Sequence, residues 1–66
     1  MEIEVRRGND HWLTFGNGRK IKTFYTQETL LEALEFAKRM KGNEMYAHQI
    51  EPVIGMNKGE SVFIKI

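Results

Sequence analysis

The sequence predicts a single α+β domain over residues 1–66, with a mainly antiparallel five-stranded sheet and one helix packed on one of its faces. Three observations predict this two-layer fold. Apolar residues alternate with polar ones along several short segments, which is typical of half-buried strands. Turn residues separate the first of these segments at hairpin spacing. One stretch carries apolar residues three and four positions apart, which is typical of an amphipathic helix.

Three strands are expected first, at residues 2–7, 11–15 and 19–25. Segments rich in glycine and asparagine, at residues 8–10 and 16–18, separate them and predict tight connections. Consecutive strands joined by such short connections pair antiparallel. The first third of the chain is therefore predicted to be a three-stranded meander.

The register of these strands decides which side chains face the helix. A two-residue turn at Asn17-Gly18 would pair Leu13 with Lys22 and mix apolar and charged residues on one face. Three-residue loops at both connections keep the apolar residues together, and a slip of one residue would expose them all, so we expect the longer loops. The predicted inward set is then Ile3, Val5, Leu13, Phe15, Ile21 and Tyr25.

The helix is predicted over residues 27–41, between Thr26 and Gly42. The hydroxyl of Thr26 can accept a hydrogen bond from a free amide of the first turn, and glycine favours the end of a helix. Acidic residues come early and basic residues late, which suits the helix dipole. The stripe expected to pack on the sheet is Leu30, Ala33, Leu34, Ala37 and Met40, with Leu31 and Phe36 at its margins.

Two more strands are expected after the helix, at residues 44–51 and 61–66, which gives the order βββαββ. The inward face of the first of them is left open, because Met45 and Ala47 lie on one side and Tyr46 and Ile50 on the other. A right-handed crossover would place this strand beside the first one, in the strand order 5-4-1-2-3.

Composition limits the classes of function. Ten basic and nine acidic residues leave a net charge of +1, which is not the charge of a strongly basic nucleic-acid binder. The chain has no cysteine, so we expect a cytoplasmic protein rather than a small secreted domain that depends on disulfides. Charged residues interrupt the first apolar positions, and no apolar stretch approaches about 20 residues, so neither a signal peptide nor a membrane span is predicted.

The pattern of reactive residues predicts no catalytic site, no metal site and no cofactor. His11 and His48 lie in different predicted strands with no motif that links them. Asp10 precedes His11 directly, and neighbouring strand residues point to opposite faces, so the two are not expected to converge. The glycines at 16 and 18 lack the lysine and the following helix of a phosphate-binding loop.

The predicted register leaves one sheet face uncovered, because the single helix can cover only the other. Trp12 would lie at its centre between Arg6 and Lys22, and an exposed apolar patch of this kind usually marks a binding site. The residues expected on this face are Arg6, Trp12, Thr14, Lys20, Lys22 and Phe24.

Three interpretations of this face compete. The aliphatic parts of Arg6 and Lys22 could simply shield Trp12. The face could contact a protein, including a second copy of this chain, since tryptophan and arginine dominate interface hot spots. It could also bind a single-stranded nucleic acid by stacking bases on its aromatic residues. Glu2 and Glu4 on the same face would repel phosphates. We therefore expect a non-catalytic protein-binding module of the regulator or inhibitor type, with nucleic-acid binding as the alternative.

A second contact is predicted in the apolar segment 53–59. Its residues Ile54 and Met56 could fold back over the edge of the core or be presented to a partner. The predicted partner-binding residues are Arg6, Trp12, Lys20, Lys22, Phe24, Ile54 and Met56.

Overall fold

The computed structural model describes residues 2–40 and 50–65. They form an antiparallel sheet in the strand order β3-β2-β1-β4 and one α-helix, so the protein is an α+β protein. The elements are β1 (Glu2–Arg7), β2 (Trp12–Gly16), β3 (Arg19–Phe24), α1 (Gln27–Met40), a short 3-10 helix (Glu51–Val53) and β4 (Ser61–Lys65).

The sheet has four strands within the described residues, where five were expected. Most of the predicted fourth strand, residues 44–49, lies outside the described residues, and so does the choice between its two faces. Its last two residues, Ile50 and Glu51, are described and form a bend and the start of the 3-10 helix. The predicted fifth strand corresponds to β4 and pairs directly with β1, so the expected order 5-4-1-2-3 is wrong.

Both hairpins differ from the expected register. The β1–β2 ladder pairs Val5 with Thr14, which leaves residues 8–11 as the connection. β2 and β3 are joined by the two-residue turn Asn17-Gly18, whose φ angles are 54° and 77°. Positive φ at both central residues is the geometry that suits the twist of a tight hairpin. The expected three-residue loops are therefore wrong at both positions.

A β-bulge in the β2–β3 ladder changes the pairing of these two strands along their length. Next to the turn, Phe15 pairs with Lys20, but the register shifts between Thr14 and Phe15. Beyond the shift, Trp12 pairs with Phe24, so the two aromatic residues lie on the same face. This face also carries Ile3 and Val5. The expected inward set is wrong at four positions, because Leu13 and Phe15 are only half-buried and Ile21 and Tyr25 are exposed.

The core lies between the bulged sheet and α1. Thr26 caps the helix as expected, since its Oγ1 accepts a hydrogen bond of 3.2 Å from the Thr29 amide. Leu30 and Leu34 are buried against the sheet, as the apolar stripe predicts. The core cluster consists of Ile3, Val5, Trp12, Phe24, Leu30, Leu34, Ile50, Val53 and Ile64, with Leu31, Ala33, Met56 and Val62 packed against it.

The last turn of α1 departs from the predicted stripe. Met40 is exposed, whereas Lys38 is fully buried and its Nζ donates a hydrogen bond to the backbone carbonyl of Lys65. Lys38 lies four residues after Leu34 and eight after Leu30, so it lies on the same side of the helix. No helix within residues 2–40 and 50–65 is long and apolar enough to cross a membrane.

Candidate functional site: a cleft between β3 and α1

The predicted contact face does not exist in its expected form, because its two central aromatic residues are in the core. Trp12 and Phe24 are each 8% exposed and pack beneath α1. The guanidinium of Arg7, not that of Arg6, lies 3.9 Å from the centroid of the Trp12 ring. The indole Nε1 is buried without a hydrogen-bond partner among the described residues. Trp12 lies in the core because the β1–β2 ladder pairs Arg7 with Trp12, which puts Trp12 on the same face as Val5. The bulge in the β2–β3 ladder then brings Phe24 to that face.

The side chain of Arg6 lies on the sheet face that α1 leaves uncovered. Its guanidinium stacks over Phe15 at 4.4 Å and contacts the Glu4 carboxylate at 2.6 and 3.3 Å. This hydrogen-bonded pair lowers the pKa of Glu4. Lys20 is exposed and pairs with Phe15, so it shares this face with Arg6.

The uncovered face is small in apolar area and partly acidic. Phe63 is exposed and pairs with Glu4 across the β1–β4 ladder. A hollow of about 210 Å³ lies here, between Phe15 and Phe63, and Glu2 and Glu4 are part of its lining. The acidic residues and the ion-paired Arg6 make the β1–β4 side of this face a poor site for an anionic partner, whereas Lys20 lies apart from them on the edge strand β3.

The segment after the 3-10 helix folds back over the core, which is one of the two expected alternatives. Val53 is fully buried and Met56 packs against the core cluster, whereas Ile54 remains exposed. Its end is held by β1, since the Gly59 amide donates to the Arg7 carbonyl at 2.9 Å. The expected contact residues Ile54 and Met56 do not line the hollows that Lys22 and Phe24 line.

An open apolar cleft lies between β3 and α1 and is here called the β3–α1 cleft. It consists of two adjoining hollows of about 690 and 310 Å³, which share Lys22, Phe24 and Ala33. Phe24 forms part of its floor although little of its surface is exposed. Of the predicted contact residues, Lys22 and Phe24 are the two that line this cleft.

Local sequence explains why the cleft is open. Ala33 and Ala37 line it from α1, and their short side chains do not fill the space beside β3. Tyr25 and Phe36 stand at its margin and expose 72% and 64% of their surface. Ile21, next to the register shift, lines the smaller hollow and is exposed as well. The cleft thus has an apolar floor and unburied aromatic walls.

The two walls of the cleft differ in charge. β3 carries Arg19, Lys20 and Lys22, whereas Glu32 lines the cleft on the helix side. The ammonium of Lys22 lies 5.2 Å from the centroid of the Phe24 ring, within the range of a cation–π contact. A partner that approaches the strand side therefore meets a basic surface.

Asp10 and His11 do converge, contrary to the sequence-based expectation. The two residues lie in the connection between β1 and β2 rather than in a strand, and His11 Nδ1 donates to Asp10 Oδ1 at 2.9 Å. This hydrogen bond lowers the pKa of Asp10. No group of three histidine, aspartate or glutamate side chains in residues 2–40 and 50–65 could hold a metal ion, and His48 lies outside these residues. The pair is a surface hydrogen bond.

Sequence reasoning missed Ile21, Tyr25 and Phe36, which give the cleft most of its exposed apolar surface. For Phe36 a signal was present. It lies at the margin of the helix stripe, between Ala33 and Ala37, where small side chains leave room beside a large one. For Ile21 and Tyr25 no comparable signal exists, because their exposure depends on the bulge.

Comparison with family models, with curated proteins and with solved structures finds no match to this chain. The functional interpretation therefore depends on the shape and charge of the β3–α1 cleft.

Proposed function

We propose that this protein is a small non-catalytic protein-binding module, of the regulator or inhibitor type, and that it holds a polypeptide partner in the β3–α1 cleft. The observation that carries the proposal is the exposure of Tyr25 and Phe36 beside an apolar hollow. Burial of apolar surface contributes about 25 cal/mol per Å². Large aromatic residues at the centre of a contact dominate binding energies.

The charge of β3 supports a partner with acidic side chains. Arg19, Lys20 and Lys22 are all exposed on this strand, and none of the ion pairs found among the described residues involves them. Opposite charges across an interface speed the encounter and fix its orientation. The partner is therefore an acidic polypeptide that also offers large apolar side chains to the cleft floor.

A single-stranded nucleic acid is the competing ligand for the same surface. Lys22 next to Phe24 and Tyr25 resembles the combination of cations and aromatic rings on which bases stack. Against it, Glu32 lines the other wall and would repel a phosphate backbone. A fluorescent oligonucleotide should therefore show no binding at low salt. Binding that falls steeply with added salt would favour the nucleic-acid alternative.

Two phenylalanine residues provide a matched test of the protein-binding proposal. Phe36 is 64% exposed and lines the cleft, whereas Phe63 is 62% exposed and lies on the uncovered sheet face. Phe36→Ala and Phe63→Ala thus remove the same side chain at nearly equal exposure. Both variants should retain the wild-type free energy of unfolding, because neither ring is buried.

The experiment uses the three proteins, each labelled with a photocrosslinker, in extracts of the native host. We expect one partner that the wild type and Phe63→Ala capture equally and that Phe36→Ala loses. Measured with the purified partner, Phe36→Ala should weaken binding by about tenfold or more. The proposal fails if Phe63→Ala loses the partner and Phe36→Ala keeps it, or if both variants bind as the wild type does.

A further inference from the structure

We infer that the partner binds as an extended segment that adds a strand to the edge of β3 that no described strand occupies, with apolar side chains facing the cleft and acidic side chains alternating with them. This inference rests on the proposed function, because it specifies how the same cleft is occupied. Strand addition gains affinity from main-chain hydrogen bonds and specificity from the pockets that receive alternate side chains.

The first support is the position of β3 at the end of the described sheet. The order β3-β2-β1-β4 leaves β3 with β2 as its single neighbour among the described strands. Its residues Arg19, Lys20, Ile21 and Lys22 are all exposed. An edge of this kind presents unpaired backbone groups to another extended chain.

The second support is the direction of the backbone groups. The amide of Lys22 donates to Thr14 Oγ1 at 3.2 Å, and the carbonyl of Lys22 accepts from the same hydroxyl at 2.8 Å. Both polar groups of Lys22 therefore point toward β2. Because backbone groups alternate along a strand, the amide and carbonyl of Thr23 point away from β2. Thr23 also lines the larger hollow, so these groups face the space that a partner strand would enter.

The third support is the distribution of side chains around that space. On the helix side, an added strand would meet Phe24, Ala33 and Ala37, which favour apolar side chains. Lys20 lies on the opposite side of the sheet, and an acidic side chain there would pair with it. Since successive residues of a strand point to opposite faces, an alternation of acidic and apolar residues satisfies both sides.

Charge argues against a second copy of this chain as the added strand. An antiparallel pair of two β3 strands would bring Arg19, Lys20 and Lys22 of both copies together along one ladder. Like charges directly opposite one another destabilise a ladder. Lysine on an edge strand is a common means by which proteins avoid pairing with themselves. The purified protein should therefore be monomeric, and a dimer that Lys22→Glu abolishes would overturn the choice of an acidic partner.

The test compares Thr23→Pro with Thr23→Val. Proline removes the outward amide of Thr23 without removing a hydrogen bond to β2, whereas valine keeps the amide and the branched shape.

The probe is a fluorescein-labelled peptide in which glutamate alternates with valine and phenylalanine, and its control carries lysine in place of glutamate. The wild type and Thr23→Val should bind the glutamate peptide and not the lysine peptide. Thr23→Pro should weaken binding by about tenfold.

The outcomes separate the two proposals. If Thr23→Pro binds as Thr23→Val does while Phe36→Ala is weakened, strand addition is wrong and the cleft remains the contact. If Phe36→Ala is not weakened either, the proposed function fails as well. Equal binding of the two peptides overturns the acidic partner.

A measurement on the wild type covers the case in which Thr23→Pro does not fold. Hydrogen exchange of the Thr23 amide should slow when the glutamate peptide is bound, because the amide then donates to the added strand. Unchanged exchange at saturating peptide would overturn strand addition.

Discussion

The Thr14 hydroxyl bonds both polar groups of the Lys22 backbone, accepting from its amide at 3.2 Å and donating to its carbonyl at 2.8 Å. Thr14 is only 4% exposed, and both bonds are partly buried. They lie next to the register shift between Thr14 and Phe15. The side chain thus holds β3 in the phase that puts Phe24 on the same face as Trp12.

Thr14→Val should therefore destabilise the hairpin more than its small change in shape suggests. The variant leaves the Lys22 amide and carbonyl without their partner, which costs about 1–3 kcal/mol in a buried position. Urea unfolding measures this loss, and Thr23→Val, at a half-buried threonine of the same hairpin, is the control. A loss no larger than that of the control would contradict the assigned role of the hydroxyl.

Trp12 should report a buried environment in the native state. It is the single tryptophan of the chain, so its fluorescence is unambiguous. Because the ring lies beneath α1 and against Arg7, the native protein should resist quenching by acrylamide, and quenching should rise when urea unfolds it. Equally strong quenching of the native and unfolded protein would show that the indole lies on the surface.

Gly8→Ala should disturb the Asp10–His11 pair. A Cβ atom at position 8 would lie 2.4 Å from His11 Nε2, so the imidazole must move. The hydrogen bond that lowers the pKa of Asp10 would then be lost, and that pKa should rise toward its ordinary value. NMR titration of the Asp10 carboxyl measures the change, and His11→Ala should raise the pKa in the same direction. An unchanged Asp10 pKa in both variants would contradict this arrangement.

Lys38 should make stability depend on alkaline pH. Burial lowers the pKa of its ammonium in the folded state, so the unfolded chain binds more protons between this lowered pKa and the ordinary value of 10.5. The free energy of unfolding contributed by this residue therefore rises as pH rises through that window. Lys38→Met keeps the length of the side chain and removes the charge. The difference in free energy of unfolding between the wild type and Lys38→Met should shift in favour of the wild type as pH increases. A difference that is constant with pH would show that the ammonium is solvated.

The features of α1 that depend on residues close together in the sequence could be predicted. Thr26 caps α1 because its hydroxyl reaches an amide three residues later, and Leu30 and Leu34 face the sheet because they are one turn apart. Lys38 continues the same spacing and is fully buried although it is a charged residue type. Its position on the helix was a better guide than its residue type.

The register was not predictable by the same means. Close to the turn, pairing apolar residues with one another favours a three-residue loop over the two-residue Asn17-Gly18 turn. In the structure the tight Asn17-Gly18 turn forms, and the bulge then corrects the phase farther along, so that Trp12 pairs with Phe24. A bulge of this kind depends on the geometry of two strands together. Lys22 and Phe24, which were expected on the uncovered sheet face, therefore line the cleft on the helix side instead.

A partner that occupies the β3–α1 cleft should leave the β1–β4 side of the uncovered sheet face free, where Glu4 pairs with Phe63. Amide chemical shifts of the isotope-labelled protein, recorded while the glutamate peptide is added, test it most directly. The amide signals of Lys22, Thr23 and Ala33 should shift, and those of Glu4 and Phe63 should stay in place. Shifts confined to Glu4 and Phe63 would contradict it.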